Sequence, residues 1–139
     1  NGSPKRVSVG LDQNRLSLQL AILHKHSGIS TFDQDVFINV VGGIKVSETA
    51  SDLVVMLAIV SSLRDKVIPS KWIAFGEVGL TGEVRPVYNA MERLSEAQKQ
   101  GFEVAIIPKG NAPKKSIKGM KIVTVGYLYQ AIQYLLENS

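Results

Sequence analysis

The stretch from Thr49 to Arg64 constrains the fold more than any other part of the sequence. Thr49 is followed by Asp52 three residues later, an arrangement that predicts a helix over residues 50–64 with Thr49 as its N-cap. Its apolar residues are Leu53, Val54, Val55, Met56, Leu57, Ala58, Ile59, Val60 and Leu63. A helix that is apolar nearly all round is normally buried at the centre of its domain, so other elements must cover it on several sides.

The rest of the chain supplies alternating strands and helices that can cover this helix. Runs rich in β-branched and aromatic residues predict strands. These lie at residues 7–10, 35–41, 44–46, 72–75, 104–107 and 121–125. Amphipathic stripes predict further helices at residues 12–26, 89–100 and 127–137. The alternation indicates a single α/β domain.

A hairpin is predicted at residues 76–86, which read GEVGLTGEVRP. Gly79 and Gly82 permit a positive φ or a close approach of the backbone, so the segment favours two short strands around a tight turn. Its antiparallel pairing makes a mixed sheet, of α+β character, more plausible than a purely parallel one.

Composition limits the classes of function. The 139 residues suit one domain with a hydrophobic core. The chain contains no cysteine, which excludes disulfides and thiolate metal sites, and His24 and His26 fit a helix end, so no metal site is predicted. A net charge of +4 is compatible with a polyanionic partner. The longest apolar run, residues 53–60, is too short for a bilayer, so a cytoplasmic protein without membrane contact is expected.

Several phrases of the sequence resemble a known family. The wording G-E-x-x-L-x-G-x-V-x-P at residues 76–86 resembles Lon-type protease domains, where it precedes the catalytic lysine. Residues 12–16 (DQNRL), 35–46 (DVFINVVGGIKV), 75–86 (FGEVGLTGEVRP) and 111–115 (NAPKK) are similar to the C-terminal Lon-like domain of the RadA (Sms) family of bacterial DNA repair proteins. The resemblance covers essentially the whole chain.

The resemblance implies a fold and a setting. The fold would be the α/β sandwich of the ribosomal-S5-domain-2-like, Lon proteolytic-domain-like class. The chain, which begins at Asn1 without Met, would be a fragment of a larger DNA-dependent ATPase with a zinc finger and a RecA-like domain. That parent would bind ATP, Mg and Zn, form hexameric rings and promote branch migration in recombination. The chain itself has no G-x-x-x-x-G-K-[ST] phosphate loop, and no cofactor is expected in it.

The resemblance also locates the Ser–Lys dyad of the proteases. The serine position falls at Ala50 and the lysine position at Met91. Alanine carries no nucleophile and methionine accepts no proton at neutral pH, so the domain is predicted not to be an enzyme. A remote alternative is a protease with a displaced dyad of Ser51 and Lys45. Ser51 is one residue beyond the serine position, and one residue on a helix rotates the side chain by about 100°, so Ser51 would not point into the same site.

Basic residues in the loop at 108–121 are the predicted DNA contacts. The loop holds five lysines and no acid. These candidates are Lys109, Lys114, Lys115, Lys118 and Lys121, with Lys5 and Arg6 added if they lie nearby. Lysines contact phosphates without reading sequence, whereas lysines of exposed loops also serve solubility. No aromatic residue interleaves them, so stacking by the loop itself is not expected. A second, compatible hypothesis is a scaffold for self-association, with Tyr127, Tyr129 and Tyr134 as interface residues. The alternative is a purely structural ring-assembly domain without DNA contact.

Overall fold

The structure, a computed structural model, describes residues 6–9, 18–19, 21–22, 36–39 and 49–139. Seven strands are described: β1 (Arg6–Val9), β2 (Val36–Asn39), β3 (Trp72–Ala74), β4 (Glu77–Val78), β5 (Val84–Arg85), β6 (Val104–Pro108) and β7 (Lys121–Val125). Three helices with described bounds are α1 (Asp52–Leu63), α2 (Ala90–Lys99) and α3 (Leu128–Asn138). Short 3₁₀ turns lie at Thr49–Ser51 and Lys109–Asn111. The α/β class predicted from the sequence is confirmed.

The described strands form three separate sheets. β3, β6 and β7 make a parallel sheet with β6 in the centre, β1 and β2 form a parallel pair, and β4 and β5 form the predicted antiparallel hairpin. Parallel and antiparallel pairing therefore do not share a sheet among these strands, and the expected mixed sheet is not seen there. The ribosomal-S5-like and Lon-like fold assignment stays a prediction.

Helix α1 is the buried centre that its composition predicts. Leu53, Met56 and Val60 are fully buried. The helix begins later than expected, however, because Thr49 lies within the 3₁₀ turn and Ser51 occupies the N-cap position without a side-chain capping bond. Backbone bonds fix this end instead, since the Leu53 N–H donates to the Gly76 carbonyl at 3.0 Å.

The central strand β6 divides the core into two layers. Ile106 packs in the cluster that contains α1 and α3, whereas Ala105 and Ile107 pack in the cluster that contains α2. The alternation follows from the two-residue period of a strand. Helices thus cover both faces of the parallel sheet, as the burial of such sheets requires.

The hairpin is anchored to the starts of two helices. The Gly76 N–H donates to the Ala50 carbonyl at 2.8 Å, before α1, and the Leu128 N–H of α3 donates to the Gly82 carbonyl at 2.8 Å. Gly82 has a φ of +82°, as the turn requires. This anchoring holds the hairpin at the same side of the molecule as the first turn of α3.

Other predictions fall partly outside the described residues. Residues 18–19 and 21–22 are helical, in agreement with the predicted helix over 12–26. The predicted strands at 7–10 and 35–41 correspond to β1 and β2, whereas the predicted strand at 44–46 lies outside the described residues, as do Lys5 and Lys45. In the part of the chain that the structure describes, no helix has the length and apolar character needed to cross a bilayer.

Candidate nucleic-acid interface

The carboxyl ends of β6 and β7 bring separate parts of the chain together. Pro108 ends β6 opposite Val125, which ends β7, so Lys109 and Gly126 leave the sheet side by side. The methylenes of Lys109 lie across Gly126, because a Cβ built on Gly126 would be 3.5 Å from Lys109 Cδ. We call this side of the parallel sheet the carboxyl edge. Ligands of α/β proteins commonly bind outside the carboxyl ends of parallel strands.

The side chain of Asn111 hydrogen-bonds the loop at residues 108–121 to Val87, in the segment before α2. Its side-chain Oδ1 accepts a hydrogen bond from the Val87 N–H at 2.8 Å, and its Nδ2 donates to the Val87 carbonyl at 3.2 Å. Both polar groups of the amide are thereby used in a half-buried position. The two bonds keep residues 109–115 beside the start of α2.

A groove of about 630 Å³ lies between this loop and α2. Its lining is Val87, Asn89, Ala90, Met91, Glu92, Gly110, Asn111, Ala112, Pro113, Lys114 and Lys115. Lys114 and Lys115 are exposed. One acid, Glu92, also lines the groove, so the two lysines leave it with a net positive charge. The first turn of α2 adds partial positive charge at the groove, because helix N-termini present unpaired N–H groups.

The remaining two lysines of the loop lie towards the other end of the sheet. The Lys118 carbonyl accepts a hydrogen bond from Gln98 Nε2 at 2.8 Å, near the end of α2, whereas Lys114 lies near Ala90 at its start. Eight residues of helix correspond to about 12 Å. Lys121 begins β7 and places its Nζ 5.4 Å from the centroid of the Tyr134 ring. The structure therefore brings together Lys109, Lys114 and Lys115 and separates them from Lys118 and Lys121.

The remaining site candidates are Arg6 and the two dyad positions, of which only Met91 borders the groove. Arg6 belongs to β1, and nothing is described of its side chain. Ala50 is buried, and its carbonyl accepts the bond from Gly76. Met91 is 53% exposed and lines the groove, which Ala50 does not. Met91 therefore borders the groove and is not packed in the core.

Asp52 has a role that the sequence does not reveal. The sequence suggests only a place in the first helical turn, yet the side chain is 4% exposed and bonded from two sides. Its Oδ1 accepts from Gln19 Nε2 at 3.1 Å, and its Oδ2 accepts from the Val78 N–H at 3.0 Å. Asp52 thus ties α1 to the hairpin and to the helical residues near Gln19. These residues border a second cavity of about 340 Å³, with Leu18 and Leu80 on its lining.

The hairpin carries a fixed charge arrangement. Hydrogen bonds from the Thr81 side chain and from Arg85 lower the pKa of the Glu83 carboxyl from 4.5 to about 2. Arg85 Nη2 lies 2.6 Å from Glu83 Oε2, and the same contact raises the pKa of the guanidinium. Arg85 is also 3.7 Å from Glu77 Oε1. Arg85 thus offsets one of the two carboxylate charges of this hairpin.

Comparison with protein families identifies the class of protein. Residues 6–111 match the model of the family described as subunit ChlI of Mg-chelatase. Because the match covers well over half of the chain, the chain belongs to this family.

Individual relatives share another name. The chain is similar to curated proteins named DNA repair protein RadA. The one from Pseudomonas aeruginosa is 58% identical over 135 residues, which are 97% of this chain and 30% of the relative. Those from Escherichia coli and Aquifex aeolicus are 56% and 47% identical, over 94% and 96% of this chain and 28% and 30% of the relatives. The chain spans about 30% of the length of the RadA relatives it matches.

Two predictions change in the light of these matches. The matching family model is that of ChlI and not of a Lon-type domain. The prediction that this domain is not an enzyme is wrong, because the family is described as a subunit of Mg-chelatase, an enzyme, and the relatives are RadA proteins. Replacement of the dyad residues by Ala50 and Met91 removes the Ser–Lys protease chemistry but excludes no other activity.

The family description also raises the question of a metal. Among the described residues, no group of three or more His, Cys, Asp or Glu side chains could hold a metal ion.

Proposed function

We propose that the chain is a DNA-binding and assembly domain of a RadA-like DNA repair protein. The support is its similarity over nearly its whole length to proteins named DNA repair protein RadA. In this proposal the parent is a DNA-dependent ATPase of the bacterial cytoplasm that works as a hexamer in branch migration. Its ATP, Mg and Zn bind in other parts of the parent. The Lon-like character of the domain belongs to the same proposal.

The observation that carries DNA binding is the grouping of three lysines at the carboxyl edge. Lys109 lies at the end of β6, and Lys114 and Lys115 line the groove beside α2. Exposed ammonium groups contact phosphates without reading bases. The starts of α2 and α3 lie at the same edge and present partial positive charge to an anion. The expected ligand is therefore a nucleic-acid backbone bound without sequence preference.

A matched pair of variants tests this placement. In Lys114→Gln/Lys115→Gln the groove loses two positive charges, and in Lys118→Gln/Lys121→Gln the same loop loses two charges at its other end. Fluorescence anisotropy with labelled single- and double-stranded DNA is measured at several salt concentrations. If both groove lysines contact phosphates, the slope of log affinity against log salt for duplex DNA falls by roughly two in the groove variant. The control variant keeps a slope close to that of the unchanged chain.

Two results would refute the placement. Equal losses of DNA affinity in both variants would show that binding depends on the net charge of the loop and not on the position of the lysines at the carboxyl edge. Absence of DNA binding by the unchanged chain at low salt would remove the DNA-binding role of the isolated domain.

A second role, self-association, is favoured by a different observation. Leu18 and Leu80 are large apolar side chains that are 46% and 65% exposed, and both line the cavity of about 340 Å³ near Asp52. Apolar side chains around a concave surface are typical of protein interfaces. We expect the molar mass from light scattering to rise with concentration, and Leu80→Asp to suppress the rise. A constant monomer mass would leave DNA binding as the role of the isolated domain.

A further inference from the structure

Two exposed tyrosines form a platform at the carboxyl edge. Tyr127 and Tyr129 are 50% and 55% exposed. Their ring centroids are 6.0 Å apart and their planes differ by 22°, so the rings are stacked. Tyr127 immediately precedes α3 and Tyr129 lies in its first turn. Large aromatic faces at such exposure offer surface on which another flat ring can stack.

The backbone beneath the tyrosines is held by several hydrogen bonds. Gln130 Oε1 accepts from the Gly126 N–H at 2.7 Å and from the Tyr127 N–H at 3.0 Å. The Leu128 N–H is bonded to the hairpin through the Gly82 carbonyl. Because this backbone is already ordered, ligand binding costs little further conformational entropy, which favours affinity.

A lysine stands directly beside the platform. The side chain of Lys109 runs across Gly126, the residue before Tyr127. Beyond Lys109, the loop continues to Lys114 and Lys115 in the groove. An aromatic surface followed by a line of lysines matches the two needs of an unpaired strand, stacking for its bases and positive charge for its phosphates.

The acid whose backbone is bridged to Tyr127 does not oppose this assignment. Glu83 forms an isolated antiparallel bridge with Tyr127, so its backbone adjoins the platform. Its carboxylate, however, is bonded by Thr81 and Arg85. The ion pair with Arg85 offsets the negative charge that an approaching phosphate would meet.

We infer that the carboxyl edge binds single-stranded DNA, with Tyr127 and Tyr129 stacking on unpaired bases while Lys109, Lys114 and Lys115 contact the phosphates. This inference rests on the proposed DNA binding and adds its substrate class. Bases of a duplex are already stacked on their neighbours, so an exposed tyrosine face gains contact only with an unpaired base. The charge of the neighbouring lysines favours a polyanion over a second copy of the chain as the ligand.

The test compares two substitutions at the same positions. Tyr127→Leu/Tyr129→Leu removes the flat rings and keeps apolar bulk, whereas Tyr127→Phe/Tyr129→Phe keeps the rings. The probes are an oligothymidylate of about 20 nucleotides and a duplex of equal length. Loss of at least one stacked base is expected to weaken binding of the single strand by roughly tenfold or more in the Leu variant. Duplex affinity is expected to change less than about twofold, and the Phe variant is expected to bind both probes like the unchanged chain.

A second measurement uses only the unchanged chain, so it does not depend on whether a variant folds. A 2-aminopurine base placed within the oligothymidylate is expected to lose fluorescence when it stacks on the unchanged chain, and to lose none when the same base lies in the duplex.

Each contrary result has a distinct meaning. Equal weakening of single strand and duplex in the Leu variant would overturn the stacking role, while the lysine variants would still test DNA binding separately. Loss of self-association in the Leu variant with DNA binding intact would assign the tyrosines to an interface between copies and overturn the inference. Salt-dependent duplex binding without 2-aminopurine quenching would also overturn it and leave the proposed function standing.

Discussion

Replacing Gly76 by alanine tests how the hairpin is joined to the core. Gly76 has a φ of +155°, and its N–H and carbonyl are bonded to Ala50 and Leu53 around the start of α1. A Cβ there would lie 2.9 Å from Val84 Cγ1 and 3.3 Å from Pro108 Cγ. Backbone strain costs of order 1–3 kcal/mol, and crowding of a packed core adds roughly 1–3 kcal/mol. We therefore expect a loss of about 2–6 kcal/mol in the free energy of unfolding.

Gly119→Ala is the matched control. Gly119 has a φ of +76°, and no atom lies within 4 Å of a Cβ built on it. Only left-handed strain of about 1–2 kcal/mol is expected there. The effect of alanine on the unfolded chain is of the same kind in both variants, so the comparison largely removes it.

The assay is urea denaturation followed by circular dichroism, with the free energy extrapolated to water. Gly76→Ala should unfold at a clearly lower urea concentration than Gly119→Ala. The reasoning about crowding would be refuted if the two variants lost equal stability.

Three further predictions concern charged groups. Asp52→Ala should lower the free energy of unfolding by about 1–3 kcal/mol, because the buried Val78 N–H loses its acceptor; unchanged urea denaturation would contradict this. Because folding lowers the pKa of Glu83 from 4.5 to about 2, its stabilising contribution should be present above pH 4.5 and disappear as the pH falls towards 2. Thr81→Ala and Arg85→Gln should each raise that pKa, since both side chains donate hydrogen bonds to the carboxylate; an NMR titration of the carboxyl that is unchanged in either variant would contradict this.

Local signals in the sequence predicted the elements well. The apolar run of α1, the alanine and leucine stripe of α2 and the glycines of the hairpin each act over a few residues, and the structure confirms these elements. The N-cap at Thr49 was wrong because backbone bonds from Gly76, which is distant in sequence, fix the start of α1. The buried position of Asp52 depends on the same tertiary contacts and leaves no local signal.

The candidate site was predicted only in part because it depends on strand register. Lysines in the loop were visible in the sequence, but no aromatic residue lies among them. Tyr127 comes beside Lys109 only because Pro108 pairs with Val125 across β6 and β7. The two residues are far apart along the chain, so no short pattern could indicate their proximity.

The parallel pairing of β6 and β7 also explains why the lysines are divided. A chain that leaves one strand at its carboxyl end must return along the whole sheet before it can begin a parallel neighbour. Residues 109–120 make this return, from the start of α2 near Lys114 to its end near Lys118. Only the first part of the loop can therefore share an edge with Tyr127, which follows β7. The topology thus predicts that the contribution of each lysine to DNA binding falls along the loop, from Lys109 to Lys121.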